Sequence, residues 1–195
     1  MGMKLADLDL NKAYTYADYL QWSFKERVEL IKGKVLKMSP APNPRHQVLS
    51  MEISGRMWDF LKGKECRVYP APFDVRLSHK AAEDSMIATV VQPDISVVCD
   101  PGKIDGKGCI GAPDIVVEIL SPSNNEQELK HKYEVYEQSG VKEYWVVFPA
   151  ERMIIIYTLM DGRFAGSRPY TVGSTISSSV LSGFSLNVSE LFSQA

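Results

Sequence analysis

The sequence predicts a mixed α/β fold with its chemistry on neighbouring strands of a central sheet. Three observations carry this expectation. Short runs rich in Val and Ile, such as Ile115-Val116-Val117 and Ile95-Ser96-Val97-Val98, have the composition of interior strands. Two longer stretches, over about 44–62 and 124–139, repeat apolar residues at helical spacing. The elements follow one another as helix, strand, acidic strand, acidic strand, helix, strand, which is the order of a layered α/β architecture.

A chain of 195 residues fits a single domain over 1–195 and is long enough to bury a substantial core. Its 45% hydrophobic and 24% charged residues are ordinary for a globular protein. No apolar run approaches the roughly 20 residues that span a bilayer, and the N-terminus has no apolar signal core. The expectation is a cytoplasmic protein without a membrane partner. Cys66, Cys99 and Cys109 form an odd set without metal-ligand spacing, so reduced thiols are expected. The net charge of -2 does not advertise a nucleic-acid binder. It does not exclude one, because an acidic metal site draws negative charge into that total.

In chain order, residues 1–11 read as an irregular terminus. Thr15 is a candidate N-cap for a short helix, with Asp18 three residues on. Val28 to Ile31 and Lys34 to Met38 read as a hairpin turning at Lys32-Gly33. Glu29 is either an exposed strand charge or part of an acidic cluster. The proline-rich loop from Ser39 to Pro44 precedes the first long helix, whose first turn carries His46. That histidine is either a cap or surface residue, or a functional group. Arg67 to Tyr69 and Phe73 to Leu77 read as extended, and His79 to Ala88 as a loop. The glycine-rich segment Asp100–Gly111 is expected to connect the two acidic strands as a hairpin. It lacks the GxxxxGK[ST] pattern of a phosphate cradle.

The second acidic strand, Ala112 to Leu120, is the most informative stretch. Alternation puts Asp114, Val116 and Glu118 on one face. The first acidic strand, Gln92-Pro93-Asp94 onward, repeats the Pro-Asp-apolar pattern. Burying such carboxylates costs several kcal/mol each unless something compensates. The residues leave two compensations open. One is a Mg²⁺ or Mn²⁺ ion, which suits oxygen donors, polarises a phosphoryl oxygen and lowers the pKa of a bound water. The other is neutralisation by lysines without a metal.

After this strand, Ser121-Pro122-Ser123-Asn124 is expected to stop it and cap a helix ending at Gly140. Leu129, Tyr133 and Tyr136 give that helix its apolar spacing. Lys130, His131 and Lys132 lie about 100° apart around it and cannot share a site. Glu143 to Phe148 and Arg152 to Leu159 read as strands, with Asp161-Gly162 turning into a further one. The Ser-rich tail from Thr171 to Ser185 is expected to form edge strands, and Ser189 to Phe192 a terminal helical turn.

The run from Gln92-Pro93-Asp94, through Ala112-Pro113-Asp114 and Val117-Glu118-Ile119-Leu120-Ser121-Pro122-Ser123, to Lys132, Tyr136, Gly140-Val141 and Glu143-Tyr144-Trp145-Val146-Val147 resembles the Uma-two family. That family is similar to the PD-(D/E)xK nuclease superfamily. The resemblance extends upstream to Glu29, Gly33 and His46-Gln47, covering a core of roughly 25–160. It implies a restriction endonuclease-like fold, a central mixed sheet flanked by helices. It implies Asp94 as the motif aspartate and Glu118 as the acid of the (D/E)xK element. Leu120 stands where that element has lysine, and the resemblance points to Lys132 as the substitute amine.

The resulting expectation is a divalent-metal-dependent endonuclease that hydrolyses DNA phosphodiesters. Asp94 and Glu118 would hold Mg²⁺ or Mn²⁺, and Lys132 would stabilise charge. Glu29, His46 and Asp114 would support them, Asp114 either through a metal-bound water or merely as a strand-end cap. The resemblance also implies a homodimer, with the tail and Met153 to Ile156 as candidate contacts. Two rivals remain: a degenerate nuclease fold that only binds nucleic acid, favoured by Leu120, and a structural or oligomeric protein, favoured by the net charge.

Overall fold

The structure is a computed structural model and describes residues 5–9, 11–38, 43–78, 83–121, 126–193 and 195. After a 3-10 turn at Leu5–Asp7 comes α1 (Tyr16–Tyr19), closed at its start by a reciprocal capping box between Thr15 and Asp18. β1 (Val28–Ile31) and β2 (Lys34–Lys37) form the expected hairpin. Its turn needs positive φ at both Lys32 and Gly33. Then follow α2 (Pro44–Leu61), β3 (Arg67–Pro70), β4 (Val75–Arg76), β5 (Val90–Val91) and β6 (Ile95–Val98). β7 (Ile104–Asp105), β8 (Gly108–Ile110), β9 (Ile115–Ile119), α3 (Glu126–Ser139) and β10 (Glu143–Phe148) come next. The chain closes with β11 (Met153–Met160), β12 (Arg163–Gly166), β13 (Thr175–Ser177), β14 (Ser185–Asn187) and α4 (Val188–Ser193). The expected stop at 122–124, the loop at 39–42 and part of the loop at 79–82 lie outside the described residues.

The central sheet has the order β12-β11-β10-β9-β6-β3 and is mixed. Among the described residues of this sheet, β9 and β10 alone run parallel, because α3 carries the chain back between them. Alternation divides its side chains between two cores. Ile95, Val97, Ile115, Val117, Ile119, Trp145 and Val147 face α2, α4 and the C-terminal tail. Val98, Val116, Tyr144 and Val146 face Val135 and Tyr136 of α3 together with a second sheet. That second sheet, β2-β1-β5-β4-β8-β7, brings β1 over the same side.

Three expectations are corrected. The segment between the acidic strands is not a simple hairpin: it leaves the central sheet, and β8 pairs in parallel with β4. Gly108 makes this possible, since a side chain there would collide with the Asp74 backbone. Second, Cys66 and Cys99 are disulfide-bonded rather than reduced, and only Cys109 is free. They are 33 residues apart in sequence, but Arg67 pairs with Val98, so the next residues outward meet. Third, Met153 to Ile156 is no exposed edge. β11 lies between β10 and β12, with Ile154 and Ile156 inside the core.

The tail is held by an acid. Glu143 is 1% exposed on β10. Its carboxylate accepts bonds from the Trp145 indole N–H, the Ser178 and Ser179 hydroxyls and the Ser179 backbone N–H. These donors compensate the burial of a charge that an apolar strand could not otherwise carry.

Candidate active site

β6 and β9 pair antiparallel with Ile95 opposite Val117, so one step further along that register Asp94 stands opposite Glu118. Opposed residues of an antiparallel pair share a face at about 5 Å. The two acids therefore meet without either strand bending. The Asp94 carboxylate is anchored through Oδ2, which accepts the Ile119 backbone N–H at 2.7 Å. His46 Nε2 approaches the same oxygen at 3.1 Å from the first turn of α2. Asn43 caps that turn by accepting the His46 backbone N–H, which fixes where the imidazole starts.

Lys132 reaches the cluster from α3. Its Nζ lies 2.9 Å from Glu118 Oε1 and 3.2 Å from Glu29 Oε2. The Tyr136 hydroxyl, one turn on along the same helical face, donates to Glu118 Oε1 at 2.7 Å. Glu29 comes from β1 of the second sheet and is 2% exposed. Its Oε1 accepts the Gln92 backbone N–H at 2.8 Å. Glu29 is thus a buried member of the cluster and not a surface charge.

Asp114 is not brought in. It precedes β9, four residues from Glu118, which is about 13 Å along an extended chain. Its Oδ2 accepts the Cys99 backbone N–H at 2.7 Å and its Oδ1 pairs with Lys142 at 2.7 Å. The reason is longitudinal: alternation gives Asp114 the right face but says nothing of which end of the strand carries the chemistry.

The electrostatics follow from burial and crowding. Burial pushes the Glu118 carboxyl up to about 7; Lys132 opposes this, while the neighbouring charges of Asp94 and Glu29 reinforce it. Burial by itself would depress the Lys132 ammonium, but Glu118 and Glu29 outweigh it and hold its pKa well above the usual range. Burial likewise opposes charge on His46, and the Asp94 hydrogen bond and charge overcome it, raising its pKa. Three acids thus face one lysine and one histidine, and with all five charged the cluster carries one net negative charge.

Two hydroxyls on this face were not anticipated. Ser96 Oγ and the Tyr144 hydroxyl are buried and have no hydrogen-bond partner among the described residues; His46 Nδ1 is in the same position. The tyrosine feels the charges of Glu118, Lys132 and Asp94 after the effect of its own burial, and its pKa lies well above the ordinary value. The signal was present in the strand alternation, since Tyr144 pairs with Val116 and hence shares its face.

The donor set fits a hard divalent cation. Among the described residues no three His, Cys, Asp or Glu side chains are grouped as a metal cage. Mg²⁺ does not need one, because it is commonly held by one or two carboxylates, waters and substrate phosphates. Asp94 Oδ1 and Glu118 Oε2 accept no hydrogen bond among the described residues, so each acid keeps one oxygen for such an ion. The excess negative charge of the cluster favours the same occupant. Beyond Glu118, a cavity of about 360 Å³ opens where β9 and β10 end, lined in part by Arg45, Leu120 and Phe148.

Comparison with known proteins agrees with this fold. A crystal structure from Anabaena variabilis, described as a putative nuclease belonging to DUF820, superposes with a TM-score of 0.74. It is 20% identical and the match covers 93% of this chain and 98% of that one, so the fold is shared. An uncharacterised protein of Synechocystis is 26% identical over 147 residues, 74% of this chain and 73% of that protein. Residues 16–189 match the model of the Uma2 family, whose description is "Putative restriction endonuclease", and the chain belongs to that family.

Proposed function

We propose that the protein is a divalent-metal-dependent endonuclease hydrolysing DNA phosphodiester bonds. One observation carries the reading: Lys132, from the helix after β9, places its ammonium 2.9 Å from Glu118 although Leu120 occupies the motif position. Two acids and an amine then converge from three elements. Asp94 and Glu118 would hold Mg²⁺ or Mn²⁺ through their uncommitted oxygens. When bound, the ion would polarise the phosphoryl oxygen and acidify a water.

The chain's own groups have separable tasks. Lys132 balances Glu118 and Glu29 and offers a fixed positive charge where charge develops on the attacked phosphate. Tyr136 locks the Glu118 rotamer. His46 and the Ile119 N–H hold Asp94 Oδ2, turning Oδ1 free for the ion. Arg45, beside the cavity at the end of β9, is available to meet a neighbouring phosphate. A homodimer is part of the proposal, as the family resemblance implies.

Nicking of supercoiled DNA with Mg²⁺ or Mn²⁺ tests the reading. Wild type should nick; Glu118→Ala, and wild type in chelator, should not. Metal-independent nicking would overturn it. Nucleic-acid binding without nicking in either metal would establish the rival, a degenerate fold that only binds. No helix among the described residues is long and apolar enough to cross a membrane.

A further inference from the structure

Next to the acid–lysine cluster lies an open pocket of about 260 Å³ that the nicking chemistry does not use. Tyr19, Trp22, Phe24, Lys25, Arg27 and Gln92 line it. Gln92 joins the two places: its backbone N–H donates to Glu29, while its side chain forms part of the pocket wall. Two residues further on is Asp94.

The segment 20–27 has neither helix nor strand, and its rings hold it in place. Trp22 meets Tyr14 edge-on at 5.3 Å, tilts against Tyr19 at 5.7 Å and stacks on Phe24 at 5.5 Å. Tyr14 is buried, whereas Tyr19, Trp22 and Phe24 are only half-buried. Anchoring the segment accounts for Tyr14 and for the inner sides of Tyr19, Trp22 and Phe24, which pack on the buried cluster of Tyr16, Leu30 and Ile87. It does not account for aromatic surface left open beside two cations.

Lys25 and Arg27 are exposed and Glu26 is the acid among the lining residues, so the rim itself is positive by one charge, with Asp74 behind the Gln92 wall. Arg27 is oriented rather than free to wave. Its Nη2 and Nε donate to Gln92 Oε1 at 2.7 and 3.2 Å. Gln92 Nε2 in turn donates to Asp74 at 2.8 Å and to the Tyr19 hydroxyl at 3.2 Å. The wall is therefore organised before any ligand arrives, which lowers the cost of binding.

We propose that this pocket is a subsite for an unpaired base and its flanking phosphate, and that the substrate is single-stranded nucleic acid or a single-stranded segment of DNA. Aromatic faces accept any base by stacking, and adjacent cations follow the phosphates. A base within a duplex is already stacked on its neighbours and cannot enter a shelf of rings without leaving the helix. The position beside Asp94 and Glu118 would fix the strand relative to the bond to be cut. This deepens the endonuclease reading by naming its substrate class, and rests on that reading for the link to cleavage. Recognition itself needs no cleavage.

The test uses the full chain in chelator at low salt, with fluorescent oligo-dT, oligo-U and a blunt duplex as probes. Anisotropy should show single strands binding more tightly than the duplex. Phe24→Ala should weaken single-strand binding about five- to 150-fold, the range of one stacked base, and leave duplex binding unchanged. Lys25→Glu, at an exposed position, should reduce the salt dependence by about one phosphate contact. Single strands should quench tryptophan emission, and Trp22→Phe should bind but lose that quench. Oligo-dT and oligo-U distinguish DNA from RNA.

Wild-type single-strand affinity in Lys25→Glu and in a folded Phe24→Ala, or a quench that survives Trp22→Phe, overturns the subsite. Should Phe24→Ala fail to fold, Lys25→Glu and Trp22→Phe decide the matter. Plasmid nicking by the same proteins separates the two readings. Metal-dependent nicking with no single-strand effect removes the subsite alone, whereas the single-strand effect without nicking removes the endonuclease alone.

Discussion

Replacing Lys132 by Met tests the site most sharply, because it removes a charge while nearly preserving the side chain's length. The geometry sets a stability cost beside the catalytic one. Lys132 is 5% exposed and lies between Glu118 and Glu29, which are 7% and 2% exposed. Without the ammonium, two buried carboxylates face each other with Asp94 near by, and stripping one partner from a buried pair costs about 3–5 kcal/mol. A domain with the usual 5–15 kcal/mol margin would still fold at moderate temperature. Lys132→Met should therefore melt earlier, and Glu29→Gln added to it should restore part of the loss by removing one unpaired charge. Activity is measured as nicking per folded molecule. Losing a preorganised donor should raise the barrier by about 3 kcal/mol, roughly a 150-fold slowing. Lys130→Met, on an exposed position of the same helix, should change neither quantity. If Lys132→Met nicks DNA at the wild-type rate, the amine has no catalytic part, and the assignment of the site loses its main support. If it also melts as wild type does, the buried triad is wrong as well.

Titrating Mn²⁺ calorimetrically should show weaker binding to Asp94→Ala than to wild type; equal affinity removes Asp94 from the metal site. Glu143→Ala leaves the buried Trp145 indole and Ser178 hydroxyl without their acceptor and releases the exposed Ser179, and should cost about 3 kcal/mol in denaturant unfolding with unchanged nicking by the folded fraction. Loss of nicking in proportion beyond the folded fraction would mean that Glu143 is more than a tail anchor. The Arg76 hydrogen bond holds the Asp105 carboxyl below its ordinary value, so its contribution to stability is present above pH about 4 and disappears as pH falls through the lowered value. Asp105→Asn, whose site is half-exposed, should be about 1 kcal/mol less stable than wild type at neutral pH, and the difference should shrink as pH falls through the lowered value. A constant difference across that range would refute the linkage. Sedimentation at micromolar concentration should show a dimer, and a monomer there would remove the dimer from the proposal.

Local rules determined a good deal of this protein. The Thr15–Asp18 capping box, the Lys32-Gly33 turn and the spans of α2 and α3 follow from residue types within a few positions of one another. So does the side of α3 on which Lys132 and Tyr136 stand, since four residues make about one helical turn. Alternation along β9 likewise put Glu118 on a defined face. What the sequence could not carry was everything decided between elements. Glu29 belongs to the site because β1 of another sheet lies over that face, and Asp114 does not because it sits at the wrong end of its strand. Cys66 met Cys99, Tyr144 came to share the acids' side of the sheet, and β11 became interior through strand order and register. The physical reason is range. Dihedral preference and side-chain periodicity act over one or two turns and fix which face a residue shows. Which faces then meet depends on how apolar surfaces tens of residues apart bury one another, and that is settled only when the whole chain packs.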